Sequence, residues 1–133
     1  MRALSIRQPF AELILRGIKT VEYRSRPTRI IGERFHIYAP LKKASSDRKI
    51  WSRDLGMPDD QLPDFLIEIA EQIKLIPPGT ELPTGVIIGS AVIEKVSPST
   101  SSGFYRWHLA DVERAKKLRK PKKHPQPVFF NPF

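Results

Sequence analysis

The sequence predicts an α+β fold: a small mixed β-barrel with helices inserted between its strands. Three observations point there. Roughly five or six short runs rich in β-branched and aromatic residues are spread along the chain, and amphipathic segments at helical spacing separate them. One run, Thr84 to Val96, is apolar on both parities, as a strand covered on both faces must be. Strands and helices mixed in this way fit a sheet that curls around one core. A chain of 133 residues fits one domain, residues 1–133, and can bury a core without disulfide or metal staples.

The elements follow in order. Ala3 to Ile6 reads as a first strand. Pro9 suits a first helical position, where its missing N–H costs nothing. Phe10, Leu13 and Ile14 follow at i, i+3, i+4, and Gly17 stands where a helix stops. Thr20 to Arg24 is extended, with Thr20, Val21 and Tyr23 favouring a strand. Ser25 to Arg34 is an arginine-rich loop, and Phe35 to Ala39 is a strand stopped by Pro40. Ser45 or Ser46 can cap a helix through Ile50, Trp51 and Leu55, ended by Gly56.

Met57 to Pro63 is a proline-bounded acidic linker. Phe65, Leu66, Ile69 and Ile73 put a helix over Asp64 to Leu75, which Pro77-Pro78-Gly79 ends. In the run from Thr84 to Val96, Gly89 marks a bulge or a close backbone approach. Ser97 to Gly103 is a polar turn, and Phe104 to Leu109 a strand. Asp111 can cap a short helix holding Val112, Ala115 and Leu118. Val128 to Phe130 is the last strand.

Charge is strongly segregated. The net charge is +9, yet residues 54–81 hold seven acids against one base, a net of −6, so the remainder carries +15. A basic surface attracts polyanions through counterion release, without sequence preference. It also serves as an ordinary solvated surface, so charge alone leaves nucleic acid as one of two readings. There is no cysteine, which removes disulfides, thiol catalysis and thiolate zinc sites and fits a reducing, cytoplasmic setting. His36, His108 and His124 have no ligand spacing, so no metal and no cofactor are expected. No charged segment leads into an apolar one, so no signal peptide is expected, and the apolar runs are too short to span a bilayer.

The densest chemistry lies in Gly17-Ile18-Lys19-Thr20-Val21-Glu22-Tyr23-Arg24. Two cations and a carboxylate fall within six residues, where helix turns into strand. They can bind an anionic or amide-rich ligand, or only satisfy one another, a set worth under about 1 kcal/mol if exposed. A lysine acts as base or nucleophile only where burial strips its proton, and Glu22 beside Lys19 opposes that. Anion binding is therefore favoured over proton abstraction.

Leu4-Ser5-Ile6-Arg7-Gln8-Pro9-Phe10-Ala11, followed by Gly17-x-Lys19-x-x-Glu22-x-Arg24, resembles the ASCH domain, whose hallmark is G-x-K-x-x-E-x-R and which belongs to the PUA-like superfamily of small β-barrels. The resemblance extends to the strand Gly85 to Val96 and to the aromatic strand around Trp107. It implies a barrel with a cleft beside the first helix, lined by the hallmark residues, and RNA-related roles. It also implies a possible hydrolase, since some members are a ribonuclease or an amidohydrolase acting on acetylated cytidine. Lys19 matches the lysine of that amidohydrolase. Glu22 stands at the position matching its threonine, which alters the arrangement. Glu94 is a loose match for its glutamate.

The expectation is thus an RNA- or nucleotide-binding cleft around Lys19, Glu22 and Arg24. Arg7, Gln8 and Trp107 join it as further ligand contacts, and Arg26, Arg29, Lys120, Lys122 and Lys123 as phosphate contacts. Each has a plain alternative: Gln8 as a helix cap, Trp107 in the core, the cations in solvent, His108 as a structural strand residue. A small metal-independent hydrolase with Lys19 and Glu22 as catalytic pair is the runner-up. A protein-interaction module using the acidic helix 64–75 is the third reading.

Overall fold

The computed structural model describes residues 1–45, 47–98, 103–126 and 128–133. Six strands form one mixed sheet: β1 (Ala3–Ser5), β2 (Val21–Arg24), β3 (Arg34–Ala39), β4 (Val86–Pro98), β5 (Tyr105–Arg119) and β6 (Phe129–Phe130). Three short helices are inserted: α1 (Phe10–Leu15), α2 (Arg48–Leu55) and α3 (Asp64–Ile73). The sheet order is β2-β5-β4-β3-β1-β6. β1 pairs with β3 in parallel and the other ladders are antiparallel.

The sheet curls into a half-barrel, and side chains bridge the ends of the curl. Phe129, in the last strand of the order, stacks on Trp107 of β5 at 5.9 Å. Arg24 of β2 donates to Ser5 O of β1 at 2.8 Å. Inside the curl lies the main core, with Leu4, Ile6, Ala11, Ile14, Phe35, Ile37, Ile88, Ile93 and Trp107. On the alternate parity, Ala3, Tyr38, Ile87 and Phe130 form a second cluster. β4 therefore buries both faces, as its sequence predicts. A third cluster, Trp51, Leu62 and Ile69, holds the helical segment together, and Phe10 packs against both it and the main core.

Gly89 is the position of close approach in β4. A Cβ there would lie 2.4 Å from Glu113 O and 2.6 Å from a Leu15 methyl, distances that no side chain tolerates. The missing side chain lets β5 and α1 close onto the sheet.

Two sequence expectations are corrected. Asp111 does not cap a helix: Val112, Ala115 and Leu118 lie within β5, which runs on to Arg119. The threefold spacing imitates a helix because the strand is bulged. Ser90 faces Glu113 and Val92 faces Ala110, so between these pairs one residue of β4, Ala91, opposes two of β5, Asp111 and Val112. Asp111 absorbs the extra residue at φ 49°. Pairing with β4 outweighs the local pattern.

The cap of α2 is Asp47, whose carboxylate accepts from Lys49 N at 2.9 Å. Ser45 instead accepts from Asp47 N, and Ser46 lies outside the described residues. Most of the expected turn at 97–103 also lies outside them. Among the described residues no helix is long and apolar enough to cross a membrane.

Candidate functional site

The end of α1 sets the site. Gly17, at φ 74°, closes the helix with two reversed bonds: Gly17 N donates to Ile14 O and Ile18 N to Leu13 O, both at 3.0 Å. Lys19 N also donates to Leu13 O at 3.1 Å. The chain is thus turned within three residues and Lys19 is fixed before β2 begins.

Lys19 is buried, and its Nζ donates to Val21 O at 2.6 Å and to Glu22 Oε1 at 2.8 Å. The other Glu22 oxygen accepts from Arg24 Nη2 at 2.9 Å and Nε at 3.2 Å. Arg24 lies with its guanidinium 5.7 Å from the Trp107 ring centroid, which follows from the ladder, since Glu22 faces Trp107. Burial pushes the Glu22 carboxyl up. The charges of Lys19 and Arg24 and their hydrogen bonds more than reverse this and hold it below the usual carboxylate range. Glu22 is therefore an anion clamped between two cations.

This cluster borders a cleft of about 830 Å³. Lys19, Glu22 and Arg24 line it, with Arg7 and Lys42 adding charge. The side chain of Lys19 is only 3% exposed and that of Arg24 22%, so of the two cations Arg24 is the more open to the cleft. Aromatic residues make much of the remaining surface. Tyr23 stacks on Phe65 at 4.0 Å, and Phe104 meets Phe65 edge-on at 5.2 Å. α2 and α3 contribute Trp51, Leu66 and Ile69, and His124, Pro125 and Gln126 complete the lining.

A smaller cavity of about 70 Å³ shares Lys19, Tyr23 and Phe65 with the cleft. Gln72 borders it, and its Nε2 donates to Ile18 O at 3.3 Å, tying α3 to the turn that carries Lys19.

The other expected residues are dispersed. Arg7 is exposed at the cleft. Gln8 is fully buried as a cap of α1: its Oε1 accepts from Glu12 N at 2.9 Å and its Nε2 donates to Pro83 O at 3.1 Å. Trp107 is 2% exposed, stacked on Phe129, and its indole donates to Arg26 O; it lies in the core, not at an open face. Arg26, Arg29, Lys120, Lys122 and Lys123 are exposed outside the lining, the last two continuous with His124. Glu94 and His108 do not line the cleft either. His108 meets Ser97 Oγ at 2.7 Å, and burial, then Lys95 and Arg106, hold its ring below the usual histidine range. Among the described residues no group of three His, Asp or Glu could hold a metal.

A second buried carboxylate escaped the sequence reading. Glu12 of α1 accepts from Arg114 at 3.0 and 2.8 Å and from Arg16 Nε at 2.7 Å. The Arg114 hydrogen bonds are the main cause that lowers its carboxyl; burial opposes them and Arg16 adds to them. The i, i+4 spacing of Glu12 and Arg16 was visible. The partner Arg114 was hidden by the helix expected there.

The family model of the ASCH domain matches residues 4–121. No curated protein matches the chain. Since the matched span takes in nearly the whole chain, from β1 to the end of β5, the chain belongs to the ASCH domain family, a family of PUA-like domains.

Proposed function

We propose that this ASCH domain binds RNA or a nucleotide-like ligand in the cleft above Lys19, Glu22 and Arg24. The observation that carries the reading is the pairing of surfaces in one cleft: a clamped cationic cluster beside the aromatic group Tyr23, Phe65 and Phe104. A nucleotide offers both complements, an anionic phosphate and a planar base. Arg24 is the group that addresses the ligand. Glu22 and Ser5 O hold its guanidinium in place, and Lys19 in turn holds Glu22. Arg7 and Lys42 add positive charge at the cleft. Arg26, Arg29, Lys120, Lys122 and Lys123 supply exposed cations for the phosphates outside it.

Binding is favoured over turnover. Lys19 Nζ already donates to Val21 O and Glu22 Oε1, and its side chain is only 3% exposed, so it is engaged with the fold rather than presented to a substrate.

The test is an NMR titration of the labelled protein with short single-stranded RNA and with mononucleotides. The amides of residues 19–24 and the ring signals of Tyr23 and Phe65 shift first. Shifts confined to Lys120, Lys122 and Lys123, with the cleft silent, would replace the cleft by non-specific attraction to the basic surface.

A further inference from the structure

We infer that the cleft is a passage with two basic margins, and that it takes an internal stretch of single-stranded RNA. This rests on the nucleotide reading above and deepens it. The volume of about 830 Å³ lies in the upper part of the range for small-ligand sites, roughly 300–1,000 Å³. The cations of its lining come from places that the fold sets apart.

Topology separates the two margins. β1 lies between β3 and β6. β1 and β3 run parallel, so the chain leaves both at the same end, towards Arg7 and towards Lys42. β6 runs antiparallel to β1, so the segment that leads into it, 124–126, reaches that same end from the other side. Arg7, Lys42 and His124 all line the cleft. Lys42 thus arrives from one neighbour of β1 and His124 from the other, with Arg7 on the chain between them. Arg24 comes in from β2 and meets β1 at Ser5 O.

Each margin continues into exposed cations and is held in place. Beyond Lys42 stand Lys43 and, on α2, Arg48, Lys49 and Arg53. Ala44 N donates to Gln8 O at 2.7 Å and the Trp51 indole to Ser45 O at 2.8 Å, which ties this margin to α1 and to α2. Beyond His124 stand Lys123 and Lys122, whose backbone N–H groups donate to Pro132 O at 3.1 and 2.6 Å, and Ser5 Oγ donates to Gln126 O at 2.7 Å. Among the described residues the acids of the lining are Glu22 and Asp54. Glu22 is held by Lys19 and Arg24, and Asp54 meets Arg53 at 3.5 Å. The exposed acids of α3, Asp64, Glu68 and Glu71, do not line the cleft.

A line of phosphates therefore enters over one margin and leaves over the other, and each phosphate that meets a cation releases counterions and gains affinity. The bases between turn towards Tyr23, Phe65 and Phe104. A duplex cannot do this, because its bases are already stacked and paired.

The test uses a two-nucleotide RNA core, bare or extended by abasic sugar-phosphate units at its 5′ end, its 3′ end or both, with calorimetry at low salt. The abasic units carry phosphates and no base, so the core alone can occupy the aromatic side and the register is fixed. Each single extension tightens binding about threefold or more, and the two gains multiply in the doubly extended probe. The double variant Lys42→Ala, Lys43→Ala cancels the gain from one end and spares the other, and Lys122→Ala, Lys123→Ala does the reverse. Lys116→Ala, Lys117→Ala removes the same net charge from exposed residues outside the lining and keeps both gains. A gain from one end alone overturns the inference in favour of a site for strand ends, and no gain from either end in favour of a site for single nucleotides. Both of these results leave the nucleotide reading standing. Loss of both gains in any one of the double variants also overturns the inference, because overall charge would then account for them. No binding of any of the four probes overturns both.

Discussion

Glu12 and Glu22 are two buried carboxylates in nearly the same ionic setting, and they face different surroundings. Each is clasped by two cations, and each is held below the usual carboxylate range. Glu12 joins α1 to β5 at a seam away from the cleft lining, and its cations Arg114 and Arg16 point outwards, with side chains 52% and 34% exposed. Glu22 and its partners border the cleft, beside aromatic rings. A buried ion cluster is thus not in itself the mark of a site. The Glu12 set fastens two elements. The Glu22 set fastens β2 to the turn after α1 and also presents a guanidinium to an open space.

The comparison can be broken by removing each carboxylate. Glu22→Ala strands a buried lysine and a mostly buried arginine, and the expected loss of stability is about 3–5 kcal/mol. Glu12→Ala leaves two arginines that can turn towards water, so its loss is smaller, about 1–2 kcal/mol. Urea titration of both variants checks the order, and equal losses would mean that the two clusters are equally enclosed. Between them falls Gly89→Ala, which tests the seam rather than its ions. The added methyl meets Glu113 O and Leu15, and the expected loss is about 2–3 kcal/mol, read as a lower urea midpoint. A neutral result would show that α1 and β5 can part without cost.

A smaller effect sharpens the comparison through pH. A carboxyl depressed in the folded state binds fewer protons there than in the unfolded chain, so stability rises with pH across that window. The contribution of both clusters is complete above the ordinary glutamate value of about 4.3, and it is lost as pH falls through the depressed folded values. Melting temperatures should change little on this account from pH 7 to 5 and fall steeply further down. Glu12→Gln should flatten part of that fall. A fall in wild type already complete at pH 5 would contradict the depressed carboxyls.

How far the sequence discloses these two clusters depends on how local they are. Lys19, Glu22 and Arg24 lie within six residues, and the stop at Gly17 and the strand after it are short-range signals, so the cluster can be read from the chain. The same holds for β4, whose two-sided apolar pattern and Gly89 report their own surroundings. The Glu12 cluster depends on Arg114, more than a hundred residues away and on a strand whose bulge at Asp111 breaks the alternation that would disclose it. Val112, Ala115 and Leu118 then imitate a helix. Trp107 reads as a candidate stacking platform until Phe129 is seen to cover it. Gln8 reads as a candidate for a base edge until its amide is seen capping α1. The aromatic side of the cleft joins β2, α3 and Phe104, three segments that no local pattern connects.

The most direct test of the cleft is a matched pair of charge removals. Arg24→Ala takes one of two cations from Glu22, and Arg16→Ala takes one of two from Glu12. Both lower the net charge equally, so the non-specific attraction to a polyanion falls by the same amount. The affinity for a short single-stranded RNA at low salt, measured for both variants beside the wild type, separates the two clusters. The expected result is a loss of about tenfold or more for Arg24→Ala and a change within about twofold for Arg16→Ala. Equal losses in the two variants would contradict the cleft as the binding site and leave only the basic surface to attract RNA.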